Sequence, residues 1–177
     1  MAVVGFKMLV ILWTHSNVSK HDKYKIYVGC IVSKLLYGLQ TAWLTKAQCK
    51  KLDGFHARCI RKIVGVQHSY WSRVTNVEVL SRVNAIRLSV LLREQQLVLF
   101  AKIYRRPPHD VLRQVVFQAG SDALVVHRKR RRRGRPKLVW AAELRKIAVK
   151  VCEGRLQDAM DNAESWKRCV NKFCRIE

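Results

Sequence analysis

"TKAQCKKLDGFHARCIRKIVG", residues 45–65, decides the fold. Leu52, Phe55, Cys59, Ile60 and Ile63 recur at intervals that place them on one stripe of a helix. Thr45 and Gln48 form a T-x-x-Q capping box at the start, and Gly65 supplies the stop. Lys50, Lys51, Arg58, Arg61 and Lys62 crowd the other side. The segment therefore reads as an amphipathic helix, with an apolar face for a core and a basic face for an anion.

The same periodicity extends in both directions. Upstream, Tyr24, Tyr27, Ile31, Leu35 and Gly38 predict a helix from about Asp22 to Leu39, capped by Ser19 or Asp22. Residues 1–17 form an apolar stub, expected as a buried strand or helix end. Downstream, Thr75 and Glu78 make a second capping box for a short helix ending near Arg82. A long Leu-rich helix follows over roughly Arg87 to Tyr104, until Pro107 and Pro108 end it. His109 to Phe117 fits one or two further turns. From Gln118 to Gly134 periodicity is absent, which predicts a disordered linker and charge block. Pro136 suits the first turn of a helix from Lys137 to about Cys152, and Asp161 with Glu164 would cap a last helix carrying Trp166, Val170 and Phe173. The fold class is mainly α: a small helical bundle (18–117) with a disordered basic arm (118–135) and a short helical C-terminal tail (136–177).

Composition narrows the function. The chain has 177 residues and is 49% hydrophobic, so a core can form. Its net charge is 35 − 12 = +23. A compact body so charged repels itself unless it rests on something anionic, and nucleic acid is the first partner to expect. An anionic membrane is the weaker partner, because the apolar helix faces are needed for the core. The longest uncharged apolar run near the start, Met8 to Trp13, is too short to cross a bilayer. A secretory leader would carry its charge ahead of the apolar run and an A-x-A site, and neither occurs. The six cysteines lack C-x-x-C spacing or a Cys/His quartet, so they predict reduced thiols and no zinc site.

Residues 127–137, "HRKRRRRGRPK", concentrate the charge. Gly134 lets the backbone press close to a surface, and Pro136 keeps the strip extended. Such a strip, with Arg130, Arg131, Arg132, Arg133, Arg135 and Lys137 along it, fits a narrow minor groove. It resembles an AT-hook over about ten residues and also suits a nuclear import address, so the expected location is the nucleus.

Catalytic chemistry is not expected. Two-metal polymerases and nucleases need closely spaced carboxylates, and the chain has no Asp-Asp pair among its twelve acids. It also lacks a phosphate-binding G-x-x-x-x-G-K-[ST] loop and a G-x-S-x-G elbow. His56 and Cys59 lie one turn apart on the core stripe, with no third group evident for a nucleophile. No catalytic residue, metal or cofactor is assigned. Trp43, Tyr70, Trp71, Tyr104, Trp140 and Trp166 have basic neighbours and could stack bases. Trp43, Trp140 and Trp166 read better as core anchors, whereas Tyr70 and Trp71 fall in the loop after the helix stop.

Taken in order, "LLYGLQTAW", "LDGFHARCIRKIVG", "RVTNVEVL", a helix ending "LFAKIYR", "GRPKLVW" and "ESWKRC" resemble the segment after the polymerase domain of non-LTR (LINE-type) retrotransposon reverse transcriptases. Leu36, Tyr37, Gly38 and Trp43 match the first piece of that pattern. Leu52, Phe55, Arg58, Cys59, Ile60, Arg61, Ile63 and Gly65 match the second. Arg73, Asn76, Glu78 and Leu80 match the third, and Gly134, Arg135, Pro136 and Trp140 match the GRP piece. Gln40 departs from the usual Glu, and Ala101 with Lys102 replaces a common Gly-His. The resemblance implies a thumb-side and linker piece, from a truncated or decayed element, that holds template RNA or target DNA. It places the polymerase reaction and its Mg²⁺ outside this chain, because the [FY]-A-D-D motif is missing. The implied contacts are Arg58, Arg61, Lys62 and Arg73 from the body, joined by Arg130–Arg133, Gly134, Arg135, Pro136 and Lys137 from the arm. The alternatives are a remnant with no function and an AT-hook-like DNA or chromatin binder.

Overall fold

A computed structural model describes residues 2–14, 17–119, 121–125, 139–152 and 160–176. Among these the protein is helical, with no strand and one isolated antiparallel bridge, Phe117 to Leu124. The arm residues Arg130 to Lys137 lie outside the described residues, as does the expectation that the arm is disordered. The chain divides into two compact units, one of 1–39 with 44–92 and one of 40–43 with 93–177.

In the first unit, the apolar start is a helix, α1 (Ala2–Thr14), and not a strand. It buries Phe6 and Trp13. Helix α2 (Lys20–Tyr27) runs through a π segment, Val28–Val32, into α3 (Ser33–Leu36). Ser19 caps α2 by accepting from the Asp22 N–H at 3.2 Å. Helix α4 (Lys46–Val64) has both halves of its capping box and ends at Gly65 in the left-handed region, φ 78°. Its stripe (Leu52, Cys59, Ile60 and Ile63) is buried with Tyr27 and Ile31, and Phe55 is half-buried. Two short helices follow, α5 (Ser69–Ser72) and α6 (Asn76–Ser81). Thr75 caps α6, but Glu78 does not complete the expected box. Its carboxylate pairs with Arg82 at 2.9 Å, one turn on. Asp53 of α4 accepts from the Ser89 N–H at 2.8 Å and its hydroxyl at 2.6 Å, at the start of α7 (Leu88–Tyr104). That carboxylate satisfies an amide that the first helical turn leaves without a partner.

The second unit holds the rest of α7, then α8 (Val111–Val116), α9 (Trp140–Val151) and α10 (Ala163–Ile176). Three expectations change here. Residues just past Gln118 are not a structureless linker. Gln118 N–H donates to Ala123 O at 2.8 Å, and the Asp122 carboxylate holds Arg113 at 3.0 Å and the Tyr104 hydroxyl at 3.1 Å. Helix α9 runs from Trp140, with Val139 as its extended N-cap, whereas Pro136 and Lys137, where the sequence placed its start, lie outside the described residues. Leu144 and Ala148 form its buried side, whereas Val149 is 45% exposed. Asn162, not Asp161, caps α10: its side-chain oxygen accepts from Glu164 N–H at 3.0 Å and Ser165 N–H at 3.2 Å. Trp166, Val170 and Cys174 then repeat every fourth residue on the buried side of α10.

Candidate nucleic-acid interface

Helix α4 is built so that one face is committed to the core and the other is open. Lys46, Lys50, Lys51, Arg58 and Lys62 are all exposed. Lys51, Arg58 and Lys62 are separated by seven and four residues, so they stand in one column on the solvent face. Among the described residues, no carboxylate pairs with any of these five; the ion pairs lie elsewhere in the chain. The stretch from Gly54 to Val77 has no acid at all, so nothing in it neutralises Arg58, Lys62 or Arg73.

Of the four body contacts expected from sequence, three are exposed: Arg58, Lys62 and Arg73. Arg73 ends α5 in the left-handed region, at φ 53°. Arg61 differs. It is 4% exposed, and its guanidinium faces inward. One terminal nitrogen donates to Gln67 O at 3.1 Å and Ser72 Oγ at 3.4 Å, and the other to Val74 O at 2.6 Å and Asn76 Oδ1 at 2.9 Å. A guanidinium presents several donors in one plane, which lets it gather a turn of carbonyls without a counter-ion. Arg61 therefore clamps residues 67–76 and leaves no face for phosphate. The available sequence signal was its position, since Ala57 and Val64, one turn before and after it, are apolar and buried. Arg130, Arg131, Arg132, Arg133, Gly134, Arg135, Pro136 and Lys137 lie outside the described residues.

The aromatic residues divide sharply. Trp43 lies under the Arg93 guanidinium at 4.0 Å. Trp140 Nε1 donates to Gln40 O at 2.9 Å, and Trp166, 1% exposed, donates to Leu97 O at 3.0 Å. These three are anchors of the second unit. Tyr70 and Trp71 are 78% and 74% exposed, packed edge to face with centroids 5.1 Å apart.

His56 and Cys59 sit deep in the first unit. His56 Nδ1 shares a 3.0 Å hydrogen bond with the Tyr27 hydroxyl, and Nε2 has no hydrogen-bond partner. Burial lowers the imidazole to about 4, against the pull of Asp53 and the Ile86 backbone, and burial raises the Cys59 thiol to about 11. Near neutral pH both groups are uncharged, as a core requires. Among the described residues, no three His, Cys, Asp or Glu side chains are grouped to hold a metal ion, and no helix is long and apolar enough to cross a membrane.

Compared with protein-family models, curated proteins and solved structures, the chain gives no match.

Proposed function

We propose that this protein binds RNA or DNA through the phosphate backbone, using the open face of α4 together with the arm at 128–137. We further propose that it is a thumb-side and linker-type module of the LINE-type reverse transcriptase class. The observation that carries the first statement is the carboxylate-free column Lys51, Arg58 and Lys62 on a helix whose opposite face is buried. A cationic face with no internal partner suits a repeating polyanion, because each contact releases condensed counterions. The second statement is supported by contacts between pieces of the ordered motif set. Arg61 of "RCIRKIVG" holds Asn76 of "RVTNVEVL", and Trp140 of "GRPKLVW" holds the Gln40 carbonyl of "LLYGLQTAW". The Gly-Arg-Pro strip would add an extended minor-groove contact on A·T-rich duplex.

A salt titration with three proteins tests this. Wild type is expected to lose affinity steeply as salt rises. If half of the arm's eight cations contact phosphate, the arm alone contributes roughly −4 to the log–log slope. Replacing the arm arginines and lysines with Gln should remove that share. Replacing Lys51, Arg58 and Lys62 with Gln should flatten the slope by about 3, at roughly 0.9 per contact. Binding of wild type to neither RNA nor DNA in dilute buffer would refute the reading.

A further inference from the structure

Tyr70 and Trp71 lie on the short helix α5 and not in a loop, and their side chains stand in water. From Tyr70 and Trp71, 78% and 74% exposed, we infer that the pair is a stacking platform for the unpaired bases of a single-stranded nucleic acid. The inference rests on the polyanion reading above and adds the class of strand.

The pair is not a stray patch on a loose loop. Trp71 N–H donates to His68 O at 3.0 Å, and Ser72 Oγ donates to Gln67 O at 3.2 Å. The buried Arg61 guanidinium then pins both flanks of the turn, at Gln67 and at Val74. A turn so pinned loses little further entropy when a ligand arrives, which favours binding. The two rings meet edge to face, at 89°, so neither is stacked by the other. Each keeps a flat surface that a base can cover.

Charge selects the occupant. Arg73 adjoins the pair, Lys62 and Arg58 are exposed on the half of α4 to which the turn is pinned, and no acid lies between Gly54 and Val77. Exposed aromatics interleaved with unpaired cations match a strand that offers a π-face and a phosphate at every step. In a duplex the bases are already stacked on each other, so the platform discriminates between single strand and duplex.

The experiment measures anisotropy of a labelled 20-nucleotide oligo(dT) or oligo(U), and of a duplex of equal length, with the full chain at fixed salt. Tyr70→Ala/Trp71→Ala is expected to weaken single-strand binding by at least about 25-fold, from roughly fivefold per ring. Duplex affinity and the salt slope should stay as in wild type. Tyr70→Phe/Trp71→Phe, which keeps the rings, should retain most single-strand affinity and guards against a folding artefact. If the alanine variant binds oligo(dT) and oligo(U) within about threefold of wild type, the platform is refuted while phosphate binding stands. An equal loss on duplex refutes it too. Failure of wild type on every strand removes the phosphate reading and this inference together.

Discussion

Helix α4 and the stretch from Arg93 to Arg113 carry six and five cations and use them differently. In α4 the six cations are Lys46, Lys50, Lys51, Arg58, Arg61 and Lys62, and among the described residues only Arg61 is engaged internally. From Arg93 to Arg113 the five are Arg93, Lys102, Arg105, Arg106 and Arg113, and four are engaged. Arg93 covers Trp43, Arg105 donates to Met160 O at 2.7 Å, Arg106 pairs with Asp110 at 2.8 Å, and Arg113 holds Asp122 at 3.0 Å. Every engaged cation in the two regions is an arginine, whereas four of the five open ones on α4 are lysines. The difference follows from shape: a planar fork reaches carbonyls and rings, while an ammonium on a long stem keeps its water. A count of cations therefore does not locate a binding face. The cations left over after the fold has taken its share are the candidates for one.

Arg61 is the exception on α4, and removing it gives the largest expected effect. Arg61→Met leaves Gln67 O, Val74 O and the Asn76 side chain without their buried donor. It should destabilise the first unit by about 3 kcal/mol, as for loss of a buried, charge-assisted hydrogen-bond cluster. Its neighbour Lys62 is exposed, so Lys62→Met should change stability by no more than about 0.5 kcal/mol. Urea denaturation of the two variants side by side checks the contrast. Equal losses would mean that α4 is not divided into a structural side and an open side.

A second test acts on the core beneath the open face. Buried His56 is lowered to about 4, while an unfolded histidine titrates near 6.5. Below pH 6.5 the unfolded chain therefore takes up a proton that the folded chain refuses, and stability falls as pH drops toward 4. The loss should approach about 3 kcal/mol at most, and it is complete near the folded value. Denaturation at pH 7 and pH 4.5 measures it. His56→Gln should lose much of this pH dependence, because glutamine does not titrate.

The ends of α4 were legible because they are local: Thr45, Gln48 and Gly65 act within one turn of their own backbone. The buried stripe was legible for the same reason, through its period. Arg61 was not, because its partners come from a turn six to fifteen residues downstream whose path no periodicity reveals. The expected helix from Lys137 begins at Trp140 among the described residues, because Val139 is extended, and a proline is permitted at a helix start without requiring one. Asp122 was read as part of a featureless linker, although Arg113 and Tyr104 hold it from two helices. Side-chain clamps between segments account for the misses at Arg61 and Asp122.

The smallest expected effect comes from two glycines of the same helix region, and it has opposite signs. Gly54 lies inside α4, between Lys51 and Arg58, and a methyl group there would meet nothing within 4 Å. Neither packing nor backbone angle calls for glycine, so Gly54→Ala should stabilise the protein by about 0.5–1 kcal/mol, chiefly by restricting the unfolded chain. Gly65 also has empty space around it, but its φ is 78°. An alanine there is strained by its own backbone, so Gly65→Ala should cost about 1 kcal/mol. Because neither methyl touches a neighbour, the difference between the variants reports conformation alone. Thermal melts of the pair measure it: Tm should rise for the first and fall for the second. A fall for both would show that α4 is strained at Gly54, and the open face would then owe its geometry to more than helical periodicity.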